Sequence, residues 1–413
     1  MRHINYCYFI TLPMIIKDGE KNKMKFEKNK QEIKRNQEST KSKKILFCAS
    51  TVSHINNFHL PYLKAFKEIG YEVHVAVNEK ADIAFADRVI KIPFFKNIIS
   101  PKNLFAIYKL RKLIKTEKYA KISSNTTLAG LVVRFSLMFL KDRPLLYHIA
   151  HGYHFNHKQG LKKFIYLVPE KIASYVSDHV MVMNHEDLLM AQKYKLYRHK
   201  LHYIDGIGIS TSRFKTITAE EKRMLRSRMG LTDDDFVFVY IAEFSKRKNQ
   251  ELLIKAFSNC NLKNCILLLA GDGKELNNCK KLVNKLNQSD RIRFLGYVDD
   301  VPSLLAACDA AVSSSRSEGL PFNIIEAMGC GLPVIVSDIK GHRELVEHGK
   351  NGLLFENDNI CKLTECMITL YSMNLKQQSL FREFGTAGSK RVEKFTLENV
   401  LPKVMNIYND TAL

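Results

Sequence analysis

Two glutamates, Glu318 and Glu326, stand with seven residues between them in the stretch RSEGLPFNIIEAMGCGLPVIVSD, residues 316–338. Pro321 suits the first turn of a helix. The N–H groups of Gly319, Leu320, Phe322 and Asn323 around it then mark a helix start, where unpaired N–H groups and the axial dipole favour an anion. Glu326 falls roughly 7 Å along that helix, and Glu318 lies on the loop before it. An anion held at the helix start leaves each carboxylate free to accept hydrogen bonds from hydroxyls on either side, which is the layout of a nucleoside diphosphate sugar. The plainer alternative makes Glu318 a surface residue and Glu326 a dipole-stabilising helix residue. A second feature bears on the choice. Lys246, Arg247 and Lys248 precede the helical stretch NQELLIKAF, where cations are electrostatically unfavourable unless an anion binds. Gly271, in LLAGDGKEL, permits a close backbone approach at another strand end.

These residues need a frame that brings strand ends together. From Lys44 onward, short β-branched runs alternate with amphipathic segments: KKILFCAS and YEVHVAV flank a helix closed by Gly70. A second series starts near Phe236, with strands in FVFVYIAEF, CILLLAG, RIRFLGYV, DAAVSSS, LPVIVSD and GLLF and helices between them. The alternation predicts parallel sheets covered on both faces. The fold class is therefore α/β, with two Rossmann-like domains facing each other across a ligand cleft. A turn-rich, charged stretch at 205–235 is the candidate linker. The domains run over 44–212 and 213–394, and a C-terminal helix near 395–413 crosses back to the first domain.

Length and composition agree with this reading. The chain of 413 residues is too long for one ordinary core, and 46% hydrophobic with 26% charged residues describes a globular protein. The formal charge of +22 favours anionic partners. Residues 1–44 carry twelve basic and five acidic side chains, and 1–43 read as a low-complexity basic leader that bears no functional claim. The longest apolar run, LAGLVVRFSLMFL, contains Arg134 and is too short to span a bilayer. Nine scattered cysteines show no zinc-ribbon spacing and read as buried thiols in a reducing, cytoplasmic compartment.

The motifs taken together, in this order and spacing, resemble the retaining glycosyltransferases of the GT-B fold, in the large family-four group. The signature is E-x7-E at Glu318 and Glu326, supported by KNQELLIKAF, LLAGDGKEL, RIRFLGYVDDVPSLLAACDAAVSSS and GKNGLLF. The N-terminal STVSHINNFHLPYLKAFKEIGYEVHVAV and HIAHGYHF are similar to the capsule and exopolysaccharide enzymes of that group. The resemblance implies transfer of a sugar from a nucleotide-diphosphate sugar, UDP-linked, to a glycan or polyprenyl-diphosphate-linked acceptor, with no cofactor and no metal.

It also implies roles. Glu318 contacts the donor sugar, Glu326 holds the ribose, and Lys248 neutralises the leaving diphosphate, assisted by Arg247 and by the amides of Gly319 and Leu320. The main chain at Tyr297 and Val298 faces the base, and His151 meets the sugar near the reacting carbon. His54 and His154 are acceptor-side contacts. The sequence departs from the family where Glu243 replaces a common arginine, so that Arg247 or Lys246 must substitute in the phosphate clamp.

Two other functions would fit parts of the sequence. A nucleotide-sugar epimerase would use the same cleft but needs paired acids and bases around the sugar. A nucleic-acid-binding protein would explain the charge, yet no such motif is present. An anionic membrane surface is a further candidate partner. The segment SPKNLFAIYKLRKLIKTEKYAK mixes Leu104, Ile107, Leu110 and Ile114 with Lys102, Lys109, Arg111, Lys112, Lys115 and Lys118.

Overall fold

The computed structural model describes residues 43–95, 100–153, 155, 160 and 163–411. The calls on the leader and on His154 lie outside them. Two all-parallel sheets are built in chain order. The first holds β1 (Lys44–Cys48), β2 (Glu72–Val77), β3 (Arg88–Lys91), β4 (Lys121–Ser124), β5 (Leu145–Ala150), β6 (His179–Val182) and β7 (Lys200–Tyr203). The second holds β8 (Phe236–Ile241), β9 (Cys265–Ala270), β10 (Ile292–Gly296), β11 (Ala310–Ser313), β12 (Val334–Ser337) and β13 (Gly352–Phe355). Their spatial orders are β3-β2-β1-β4-β5-β6-β7 and β10-β9-β8-β11-β12-β13. Each order reverses at one point, between β1 and β4 or between β8 and β11, which is where doubly wound sheets open a crevice at their carboxyl ends.

The central strands are near-continuous apolar runs because both faces are covered. β9 and β11 are buried throughout, and Ile45, Leu46 and Phe47 of β1 have no exposure. The edge strand β3, of sequence RVIK, has only half-buried or exposed positions, and β7 is half-buried along its length. Such edge strands lack the continuous buried apolar run of the central ones. The apolar run around Arg134 forms the helix Thr127–Leu137. Its guanidinium is buried and paired with Glu170 at 2.7 and 2.9 Å, which is how a charge survives there.

Two expectations need correction. The stretch 205–235 is not merely linker: it contains the helix Ala219–Arg228, opened by a capping box in which Thr218 accepts from the Glu221 amide and Glu221 accepts from the Thr218 amide. Only Arg226 of this helix is buried, so it lacks an apolar stripe. The apolar residues at 104–114 do not form one lipid-facing stripe either. Leu110 and Ile114 are buried in the core of the first domain, Ile107 packs against that core, and Leu104 is exposed.

The last helix, Leu397–Asn409, follows the second sheet, but its far end belongs to the first domain. The Tyr408 ring packs against Phe47 and Phe66, its hydroxyl lies 2.6 Å from Ser123 Oγ, and its carbonyl accepts from Lys121 and Tyr147. Burying such aromatic surface stabilises the crossing by about 1.5–3 kcal/mol per side chain. Among the described residues no helix is long and apolar enough to cross a membrane.

Candidate active site

A cleft of about 1020 Å³ lies at the carboxyl ends of the two sheets. His54, His151, Arg247, Lys248, Gly271, Tyr297, Val298, Glu318, Gly319, Leu320, Pro321 and Glu326 all line it. Of the other residues singled out from the sequence, Lys246 does not line the cleft, which leaves the clamp to Arg247, and His154 lies outside the described residues. Lys248 comes from the loop after β8 and Glu318 from the loop after β11, the two adjacent strands at the switch point of the second sheet. His54 follows β1, and His151 follows β5.

The second sheet supplies a charged wall. Lys248 Nζ lies 2.6 Å from one oxygen of Glu318, and Arg247 Nη1 lies 2.9 Å from the other. Burial pushes the Glu318 carboxyl up, but the two cations outweigh it and hold the group at about 2. Burial also lowers the Lys248 ammonium, against the pull of Glu318. Taking a carboxylate out of water costs several kcal/mol, so two cations around one buried anion is a reasonable electrostatic solution. The basic residues before the helix Gln250–Asn259 are thus partly answered by an anion of the protein itself. Both Glu318 oxygens are engaged, although a carboxylate retains further lone pairs for a ligand hydroxyl. The unit keeps one net positive charge facing the cleft.

Glu326 behaves differently. It sits in the helix Phe322–Gly329, whose Ile324, Ile325, Ala327 and Met328 are buried. Pro321 occupies the N-cap position, one residue ahead of the expected first turn, and no side chain caps the helix. Burial raises the Glu326 carboxyl to about 7, opposed by the charge of Arg213. Arg213 lines the cleft from within the stretch read as linker, where nothing in the sequence marked it.

The first sheet supplies an uncharged wall. Burial holds His151 well below the usual imidazole range and brings His54 to about 4. Their rings meet edge-on with centroids 4.9 Å apart. The two walls touch directly. A Cβ on Gly319 would come within 1.9 Å of the His151 carbonyl oxygen, and Gly152, at φ +118°, faces the Gly319 Cα. Only glycine permits both chains to pass.

A latch flanks this contact. Lys340 Nζ binds Asp187 at 2.6 Å and the Tyr153 carbonyl at 3.0 Å, while Asn184 Nδ2 donates to the Gly319 carbonyl at 3.0 Å. Sequence reading passed over Asn184, Asp187 and Lys340 because their partners lie more than 130 residues away. Gly271, at φ +135°, packs its Cα over the Ala242 carbonyl, and Tyr297 is 73% exposed at the cleft mouth. Glu243 lines the cleft with an exposed side chain and does not join the clamp on Glu318.

Comparisons with known proteins give the family and the fold. Residues 44–184 match the family Glycosyl transferase 4-like, and residues 221–388 match Glycosyl transferases group 1. EpsD of Bacillus subtilis, a glycosyltransferase by name, is 32% identical over 89% of this chain and 97% of its own. The chain belongs to the glycosyltransferases of this family. A UDP-Gal:alpha-D-GlcNAc-diphosphoundecaprenol alpha-1,3-galactosyltransferase of Escherichia coli is 27% identical over 77% of this chain and 82% of its own. Among solved structures, Anabaena HepE in complex with UDP and glucose superposes with a TM-score of 0.73 at 21% identity, covering 89% of this glycosyltransferase and 99% of HepE. That likeness establishes the GT-B fold.

Proposed function

We propose that this glycosyltransferase moves a sugar from a UDP-sugar to a glycan or polyprenyl-diphosphate-linked acceptor in surface polysaccharide synthesis, with retention at the anomeric carbon and without a metal. The observation that carries the reading is the meeting, in one cleft, of the Glu318–Lys248–Arg247 unit and the uncharged His151. Lys248, Arg247 and the first-turn amides after Pro321 stabilise the diphosphate as it departs. Glu326 accepts from the ribose hydroxyls, and the main chain at Tyr297 and Val298 faces the base.

As the bond from the anomeric carbon to the diphosphate oxygen breaks, positive charge develops on the sugar. A neutral imidazole at His151 tolerates that charge, whereas an imidazolium would oppose it. The acceptor hydroxyl then attacks from the same face and gives its proton to the departing phosphate oxygen. Orientation and electrostatics supply the rate, so no acid–base dyad is needed.

Relatives support the substrate class. HepE is solved with UDP and with UDP-glucose, the E. coli relative acts on a diphosphoundecaprenol-linked sugar, and CapM of Staphylococcus aureus is a capsular polysaccharide biosynthesis glycosyltransferase. A membrane-borne acceptor also suits the outer face of the first domain. Leu104, Phe105 and Tyr108 are exposed beside Lys102, Lys109 and Lys112, and Ile165 is exposed on a second helix, Phe164–Ser174, with Tyr175 exposed at its C-cap and the helix Thr127–Leu137 packed between the two.

A thermal-shift and turnover panel of UDP- and GDP-sugars, with Glu318→Ala as control and a chelator arm, tests the reading. Binding of a UDP-sugar by the wild type, lost activity in the variant and chelator-resistant turnover are expected. If no nucleotide sugar binds the wild type, the proposal fails.

A further inference from the structure

Three histidines converge behind the sugar end of the cleft, and the transfer reaction uses only one of them. His54 lies in the helix Val52–Phe58, His59 is the residue at the break between it and the helix Leu60–Glu68, and His151 arrives from the loop after β5. One ring nitrogen from each lies within 4.8 Å of the others. His54 Nε2, His151 Nε2 and both ring nitrogens of His59 are buried without a hydrogen-bond partner among the described residues. His59 has no exposure at all. Orphaned buried nitrogens in such density are rare in folded proteins and call for an explanation.

A histidine ligates a metal through the lone pair of an unprotonated ring nitrogen, and each of the three rings offers one such atom to the group. No carboxylate or thiol belongs to the group. His54 and His151 line the cleft while His59 lies behind them, so a bound ion would keep an open position toward the cleft. Three histidines with an open fourth position suit zinc and its borderline neighbours and not magnesium or calcium, which demand oxygen ligands.

We propose that His54, His59 and His151 form a site for one divalent transition-metal ion of the zinc class, and that its occupancy blocks sugar transfer. The blocking clause rests on the function proposed above, because the ion takes the lone pair of the histidine that faces the donor sugar. Bound metal and productively bound donor then exclude each other, which makes the site an inhibitory one.

The test begins with the metal-free full chain, titrated with Zn²⁺ by calorimetry and with Co²⁺ by visible absorption, in a Cys361→Ser background that removes the one exposed thiol among the described residues. One ion per chain and the absorption bands of four-coordinate cobalt are expected. His59→Ala should weaken binding by at least about 100-fold. Because His59 is fully buried, His54→Gln serves as a second variant, and circular dichroism confirms that each is folded.

With UDP-glucose or whichever donor is active, Zn²⁺ should inhibit turnover and a chelator should restore it. Absence of one-to-one binding, or binding that survives both variants, overturns the site and leaves water as the partner of these nitrogens. Binding at the site with unchanged turnover overturns the blocking clause. Metal binding in a chain that turns over no nucleotide sugar would instead sink the proposed function and leave the site standing.

Discussion

The two walls of the cleft handle polarity in opposite ways. The wall from the second domain concentrates ionic groups, with Glu318 clamped by Lys248 and Arg247 and Glu326 facing Arg213. The wall from the first domain presents imidazoles that burial keeps uncharged. Fixed charge is useful where a diphosphate leaves, and costly beside a sugar that becomes cationic. The difference also separates stability from chemistry, because an ionic cluster couples to the fold and a neutral ring does so much less.

The largest expected effect is on the ionic wall. Glu318→Ala strands the buried Lys248 ammonium, and should cost on the order of 3 kcal/mol in denaturant unfolding together with a ~10²–10³-fold loss of turnover. The paired change Lys248→Met with Glu318→Leu should recover most of the stability and none of the activity. Recovery of both would show that the cluster is structural alone. Next, His151→Ala should lower turnover by about 100-fold while the melting temperature moves little. A large drop in melting temperature at unchanged turnover would erase the contrast between the walls.

A smaller effect distinguishes the two glutamates by pH. The folded-state carboxyl of Glu326 is raised from 4.5 to about 7, so its contribution to stability is present below pH 4.5 and is lost as pH rises through about 7. Donor binding should run the other way, because ribose hydroxyls bond best to the ionised form. UDP affinity should increase by up to about tenfold from pH 6 to 8, and Glu326→Gln should flatten that rise; a slope that survives the variant assigns it elsewhere. His54 and His342, both lowered to about 4, contribute stability present above pH 6.5 and lost as pH falls toward 4. The smallest effect lies away from both walls. Thr218→Ala removes the capping box and should cost about 1 kcal/mol of stability with unchanged transfer; altered transfer would tie that helix to the site.

Legibility followed the same division. Glu318, Lys248 and Gly271 lie in loops that follow strands, and Glu326 in the helix after one such loop, within a series whose apolar periodicity is strong, so their place in a cleft could be argued from local pattern. The capped helix at 219–228 escaped because it buries almost nothing, and Arg213 escaped because a lone cation in a turn-rich stretch carries no period. The expectation that the basic residues before Gln250 await an external anion needed revision for a different reason: the anion nearest them is Glu318, 70 residues on in the chain.

By itself the sequence determined the two parallel sheets, the order of their central strands' loops and the chemistry available at each, because burial on both faces and helix starts leave local, periodic marks. Only the tertiary structure decided which charges are spent on one another, that Gly152 and Gly319 bring the two walls into contact, and that His54, His59 and His151 converge. Those outcomes depend on distances between residues remote in the chain, and on how much water the fold removes from each group.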